Sequence, residues 1–536
     1  MAHSRLFDQL RRAIRIAELC EREGLDTREG LARVEEAEER RRLTRRSVLK
    51  GAAVAAVAAT ASRSAFAQSS GPRIAIIGAG MAGLSAADRL RAKGYSAVLY
   101  EAGSRVGGRQ KSIRGVFPGQ VAEAGGELID NLHKTMLAYA NEFGLAKEDL
   151  EKEPGENAFF FDGRRYPEAQ VIDEYRQIVP RIRDDMQNST GAPTFFAHSA
   201  GDVALDQLDL ETWLGTRGAG LPLIQKVLNE AYVAEYGLEC REQSCLNMLL
   251  FIHADRKSKL REFGVFSDER FHLIGGNDAI ATNIRARLPG PVVLGAELVR
   301  LGKNASGQFE LSFRGSSTPE RADAVIVTVP FSVLRNVTLD ASLGLSADKR
   351  RAIDTLGYGA NCKAMIGFNG RPWMDQGFNG LAYTNLPNVQ NTWETNYTSA
   401  GATSCFTDYA GGDRGRSLQL PVPTANGVQS QVDAFLTDLD RVWPGARARA
   451  TRSGGKYVVA QGHWLSNPFS RGSYTCYLPG QFTGLAGLEA QSAGALKFAG
   501  EHADSFYSWQ GFMEGGCLSG IAAADEVLDD IRSGRI

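Results

Sequence analysis

One short segment constrains this chain more than any other. Gly78-Ala79-Gly80-Met81-Ala82-Gly83 follows the β-branched run Arg73-Ile74-Ala75-Ile76-Ile77 and opens a helical pattern, Leu84, Ala87 and Leu90, that stops at Gly94. A second strand-like run, Ala97-Val98-Leu99-Tyr100, ends in Glu101, 23 residues after the first glycine. A GxGxxG string alone is weak evidence. Between a buried parallel strand and a helix, with an acid at that distance, it is the fingerprint of a dinucleotide site. Gly78 permits the tight turn, Gly80 lets backbone approach a pyrophosphate, and Gly83 lets the helix pack closely on the strand. The helix N-terminus attracts the phosphate charge. Glu101 is placed to accept hydrogen bonds from ribose hydroxyls. The fingerprint by itself does not choose between NAD and FAD.

Composition excludes several classes. The 536 residues are 43% hydrophobic and carry 61 basic and 62 acidic side chains, a formal charge of −1. No apolar run reaches the roughly 18 residues of a membrane span. Near-neutral charge argues against a nucleic-acid partner, which needs a basic face. The seven cysteines form no CxxC pair and no cluster at zinc spacing, so no metal is expected and no disulfide pairing can be assigned.

The first 67 residues read differently from the rest. Residues 1–46 are dense in charge, with Leu6, Leu10, Ile14 and Leu19 at helical spacing, and read as a solvated amphipathic helix. Thr44-Arg45-Arg46-Ser47-Val48-Leu49-Lys50 then precedes an Ala-rich apolar stretch, Gly51 to Ala61, and an Ala65-Phe66-Ala67 end. Basic segment, short apolar segment and small-residue cleavage site are the parts of a secretory signal. The paired arginines resemble a twin-arginine leader, which implies the export machinery as a partner and a periplasmic or secreted location. The long segment ahead of the arginines departs from most such leaders. Cleavage after Ala67 would leave six cysteines and a net charge of −5, with no transmembrane anchor.

The residues after Glu101 decide the cofactor. Glu101-Ala102-Gly103-Ser104-Arg105-Val106-Gly107-Gly108-Arg109 resembles the extended motif of the flavin amine oxidase family, which includes monoamine, polyamine and L-amino-acid oxidases. Glu123-Ala124-Gly125-Gly126-Glu127-Leu128-Ile129-Asp130 resembles the family segment beside the flavin ring. Near the other end, Phe498-Ala499-Gly500-Glu501-His502, Gly511-Phe512-Met513-Glu514-Gly515 and Ser519-Gly520 resemble its closing signature. The resemblance implies FAD as cofactor. It places Gly108 and either Arg105 or Arg109 near the diphosphate, Gly125, Gly126 and Glu127 near the ring, and Val299 near the adenine. Glu501 is implied at the ribityl or phosphate part, behind Gly500, and the amides around Met513 at the pyrimidine edge.

The expected fold class is α/β, a discontinuous Rossmann-like FAD-binding domain plus an α+β substrate domain with a mixed sheet and helices. The boundaries implied are 1–67 for the leader, 71–148, 276–338 and 467–532 for the FAD-binding domain, and 149–275 and 339–466 for the substrate domain. Helices are expected over 168–250, strands over 357–466, and loops near 187–201 and 411–417, where Gly and Ser gather. No internal repeat is present.

Oxidising a C–N bond needs a two-electron acceptor, a neutral amine beside it and little competing water. Lys363 lies in the apolar run Asn361-Cys362-Lys363-Ala364-Met365-Ile366-Gly367-Phe368, where a charge is costly unless paired. It resembles the family lysine that holds a water against flavin N5, the atom that takes the hydride. Tyr474 and Phe512 match the aromatic walls that desolvate the amine, and Trp464 matches a position near the flavin. Ser473 stands where monoamine oxidases link flavin to cysteine, so the implied FAD is noncovalent, with Cys476 close by. Familiar animal amino-acid oxidases carry an arginine where this chain has Glu127, a change that favours a substrate ammonium or guanidinium. Ala234-Glu235-Tyr236-Gly237-Leu238 and Glu242-Gln243-Ser244 resemble bacterial relatives that act on amino acids. The expected substrate is therefore an L-amino acid, basic ones included, or a related primary amine, with amine or polyamine oxidation as the alternative. O2 and a membrane quinone or cytochrome are both open as electron acceptor. A flavoprotein scaffold without turnover and a homodimer are also left open.

Overall fold

A computed structural model describes residues 16–17, 19–34, 71–150, 153–252, 269–399, 401–418, 426–503 and 509–536. The signal-like stretch at 44–67 and its cleavage point lie outside them. Strand β1 (Ile74–Ile77) is buried throughout, as an isoleucine-rich run flanked on both sides must be. It passes through the glycine turn into helix α1 (Met81–Ala92), and strand β2 (Ala97–Glu101) returns beside it. Five parallel strands form this sheet in the order Leu496–Phe498, Ala324–Val327, β1, β2, Val292–Leu294. Three separated stretches of chain therefore build one doubly wound layer. The central strands put their C-terminal ends at Gly78, Glu101 and Thr328, the edge at which such sheets bind ligands.

The second layer begins with helix α2 (Glu168–Met186). Its Val171, Ile172, Tyr175, Ile178, Val179, Ile182 and Met186 recur at three- and four-residue steps and are all buried. Four further helices follow before Ile252. The long sheet of this layer has seven strands in the order Val459–His463, β3 (Cys362–Asn369), β5 (Thr403–Ala410), β4 (Asn391–Glu394), Phe378–Thr384, Glu156–Phe161 and Arg164–Tyr166. Phe378–Thr384 pairs in parallel with Glu156–Phe161 and the other pairings are antiparallel, so the sheet is mixed as expected. Lys363 is on β3, bonded on both sides, so its side chain cannot escape along a free edge. Helix α3 (Met513–Arg532) closes the chain and packs on α1.

Two local expectations are corrected. Gly412–Ser417 is a short helix rather than a loop. Its glycines allow it to lie against neighbouring backbone, since a Cβ on Gly415 would meet the Ala360 carbonyl oxygen at 2.2 Å. The N-terminal segment is not a solvated helix over its described part. Residues 19–23 and 27–34 are helical, and Ile16, Ala17 and Cys20 are completely buried, in one apolar cluster with a face of α2. All seven cysteines are free, buried thiols. Among the described residues no helix is long and apolar enough to cross a membrane, and no His/Cys/Asp/Glu group could hold a metal ion.

Candidate active site

A cavity of about 720 Å³ runs across the C-terminal edge of the parallel sheet, within the size range of cofactor clefts. Gly78, Gly80, Glu101, Arg105, Gly108 and Arg109 line its middle. Gly80 sits just before the first turn of α1, with no side-chain cap on the free amides. Gly108, at φ +55°, faces it so closely that a Cβ there would stand 3.1 Å from the Gly80 Cα. Only backbone therefore lies between the helix N-terminus and the cavity, as an approaching diphosphate requires. The Glu101 carboxylate accepts from the Ala79 and Gly103 amides at 2.8 and 2.7 Å, which fixes it at the cavity wall with lone pairs to spare for a ribose. Arg105 donates to the Val106 and Gln110 carbonyls at 2.9 Å and ties its own loop together. Val299 lines the far end, beside the Arg314–Glu297 ion pair.

Toward the other end the cavity reaches Trp464, Gly500, Glu501, Phe512 and Met513. Arg109 bonds the Glu501 carboxylate and the Ser473 carbonyl, both at 2.8 Å. Burial alone would raise the Glu501 carboxyl. Arg109 first, with His502 and the Gly511 N–H, outweighs it and holds the group at about 2. Met513 is the first residue of α3, whose N-terminal amides turn a partial positive charge toward this end. Phe512 meets His133 edge-on at 5.0 Å, and burial pushes that imidazole down to about 3, so it is neutral.

Beyond Trp464 lies a buried polar cluster whose pairings no sequence motif announced. The Trp464 indole donates to the Ala124 carbonyl at 2.8 Å. On the next residues of that segment, the Lys363 ammonium donates to the Gly125 carbonyl at 3.0 Å and to Glu127 Oε2 at 2.5 Å. Glu127 Oε1 accepts from the Trp393 indole at 3.0 Å. Glu127 is 1% exposed and Lys363 6%, so neither charge is neutralised by water. Asn277 holds the Gly126 and Glu127 carbonyls from behind at 3.0 and 2.6 Å. Lys363 Nζ stands 5.3 Å from the Trp393 ring centre and 5.8 Å from that of Tyr409. The Tyr409 hydroxyl meets the Tyr474 hydroxyl at 2.9 Å, and Tyr474 also donates to the Glu235 carbonyl.

The structure brings Lys363, Glu127 and Trp464 to one corner, with Tyr474 packed against Trp464. Trp464 and Phe512 line the cavity, whereas Tyr474, Lys363, Gly125, Gly126 and Glu127 do not. Trp393 and Tyr409 were not anticipated. They are found by register: Tyr409 lies directly across from Lys363, Asn391 lies across from Tyr409, and Trp393 is two residues further along β4 on the same face. No sequence signal marked them, since Trp393 stands in the polar stretch Asn391-Thr392-Trp393-Glu394 and Tyr409 follows Thr407-Asp408. Cys476 is not on the cavity wall. Its sulfur lies near the Asn247 amide, so nothing at Ser473 offers a covalent link.

The likenesses to known proteins agree with this geometry. The family model of flavin containing amine oxidoreductase matches residues 81–528. An L-amino-acid oxidase of Siganus canaliculatus is 25% identical over 481 residues, covering 85% of each chain. One from Gloydius blomhoffii is 23% identical, covering 85% of this chain and 88% of its own. Among solved structures, cyclohexylamine oxidase from Brevibacterium oxydans IH-35A superposes with a TM-score of 0.72 at 20% identity, over 86% of this chain and 99% of that one. Putrescine oxidase superposes at 0.70 and 19% identity, over 85% and 99%. The cavity, its glycine cradle and the Glu101 and Glu501 carboxylates on its wall fit FAD, and the chain belongs to the flavin-containing amine oxidoreductases.

Proposed function

We propose that the chain oxidises the C–N bond of an L-amino acid or a related primary amine. The imine would then hydrolyse to an oxo acid or aldehyde and ammonia, while O2 takes the two electrons and two protons as hydrogen peroxide. FAD, when bound, supplies the two-electron acceptor. The observation that carries the reading is the buried Lys363–Glu127 pair beside Gly125, behind Trp464, which itself lines the dinucleotide cavity and bonds the Ala124 carbonyl. Glu127 and the Gly125 carbonyl hold the Lys363 ammonium at one place, where it can keep a water against the reacting atoms. Trp464, Phe512, Tyr409 and Trp393 make the surroundings apolar, which excludes bulk water and favours a neutral amine. Both Glu127 oxygens are engaged by Lys363 and Trp393, which weakens the argument from Glu127 toward a basic substrate. The names of the curated relatives favour an amino acid.

Anaerobic mixing with a panel of L-amino acids, polyamines and aryl amines tests this directly. Bleaching of the flavin band by an L-amino acid is expected, and bleaching by no amine-bearing compound would refute the reading. Admission of air separates the acceptors: prompt peroxide marks an oxidase, and a reduced flavin that recovers only with a quinone or cytochrome marks a dehydrogenase. The cofactor site has its own test. A Cβ on Gly83 would meet the Gly78 carbonyl oxygen at 2.0 Å, so the turn must open in Gly83→Ala. Titration of the apoprotein is expected to show FAD binding weakened by about 1–3 kcal/mol. We also propose that the five segments given above after the leader form the two domains, a division supported by sheet membership. The residue order at 44–67 supports export by the twin-arginine route.

A further inference from the structure

The segment ahead of the signal-like stretch carries its own folding instructions. Gly24, at φ +65°, ends the first helix, and the Leu25 N–H returns to the Cys20 carbonyl at 2.9 Å, the long-range bond of a glycine C-cap. Two residues later a capping box starts the second helix. The Glu29 N–H donates to the Asp26 carboxylate at 2.8 Å, and the Asp26 N–H donates to Glu29 at 3.3 Å. The two helices touch at a glycine, since a Cβ on Gly30 would fall 2.2 Å from the Cys20 sulfur and 3.3 Å from Ile16. This is a helical hairpin specified by stop, turn and start signals within residues 16–34.

The hairpin has a seat. Ile16, Ala17 and Cys20 are wholly buried in the same cluster as Val171, Ile172 and Tyr175 of α2, with Leu25, Leu31 and Val34 packed against it. Polar contacts fix the register: Arg176 pairs with Glu21 at 2.8 Å and donates to the Thr27 hydroxyl at 3.1 Å, and that hydroxyl donates to Asp173. We infer that residues 16–34 are a docking element of the folded enzyme rather than part of a disposable leader. α2 is the receptor surface for this segment of the same chain. The stretch between Val34 and Gly71, which contains Arg45-Arg46 and the apolar run, is then tethered to the folded body at both ends. A cut after Ala67 would leave the N-terminal fragment bound through the hairpin. The inference stands apart from the substrate reading, because no residue of the cavity takes part in it.

The test uses the full chain with a specific protease recognition sequence inserted between Ala37 and Glu38, cut after folding with FAD bound. The N-terminal fragment is expected to co-elute with the body on native size exclusion. In Ala17→Arg, cut in the same way, the fragment should be lost, and amides of residues 168–186 should exchange with deuterium faster. The flavin content of that variant should equal the parent's, which separates undocking from failure to fold. Release of the fragment from the otherwise unchanged chain would overturn the inference, as would equal retention by Ala17→Arg.

Discussion

Lys363→Met is expected to destabilise the folded protein by about 3–5 kcal/mol as well as to slow turnover, because it leaves the Glu127 carboxylate buried without its cation. Trp393 would remain as the one partner in this cluster still bonded to that carboxylate. The same substitution in a Glu127→Gln background removes the stranded charge and should recover most of the loss. Amine oxidation should stay slow in both variants, since neither holds an ammonium at the Gly125 carbonyl. Urea unfolding of the two single variants and the double variant gives the coupling, and rapid-mixing kinetics separate flavin reduction from reoxidation. A Lys363→Met protein as stable as the parent would show that the pair does not carry the corner. A double variant with parental rates in both half-reactions would remove Lys363 from the chemistry.

The second large effect is on the acid limb of stability. Glu501 is held at about 2 in the folded protein against an ordinary value of 4.5. A carboxyl lowered on folding contributes stability that is fully present above 4.5 and is lost as pH falls through about 2. The expected contribution is about 3 kcal/mol, since a tenfold change in proton affinity is about 1.4 kcal/mol. Glu501→Gln should therefore unfold with a flatter pH dependence below 4.5 and with lower stability at neutral pH, where Arg109 has lost its anion. Glu123 and Asp408 have the opposite sign and another window. Burial pushes both up to about 8, so their effect lies mostly between 4 and 8. His133, lowered to about 3 by burial, also weakens the fold on acidification but is unchanged in the variant, whereas His502, lowered to about 3 by burial, loses the Glu501 charge that partly raises it. The difference between parent and variant in denaturant midpoints from pH 7 to 3 reads Glu501 together with its interaction with His502. Parallel curves would mean that Arg109 does not hold its charge.

Much of the FAD end was legible because its parts are local. The glycine turn, the acid on β2 and the free amides of α1 are joined by short stretches of chain, and each has a steric or electrostatic requirement that few residue types meet. Lys363 was legible as a charge in an apolar strand. What it bonds was not, because Glu127 is 236 residues away in sequence and Trp393 reaches Glu127 across 266. Such a pairing depends on strand register, and register is decided by the whole sheet. The N-terminal hairpin divides in the same way. Gly24 and the Asp26–Glu29 box are readable signals, yet a segment so rich in charge reads as solvated until α2 supplies the surface that buries Ile16, Ala17 and Cys20. The helix at Gly412–Ser417 follows this rule too, since Gly412, at φ +57°, turns the chain into it and Gly415 serves contact with the Ala360 carbonyl.

The sequence alone determined the dinucleotide turn, since local backbone geometry and the helix dipole leave few other solutions, and its resemblance to the flavin amine oxidases implied the fold class and FAD. Tertiary structure alone decided the partners of Lys363 and Glu127, the aromatic pair Trp393 and Tyr409, and the seat of the hairpin. Those depend on desolvation and on register between distant strands, and neither quantity exists until the chain has packed.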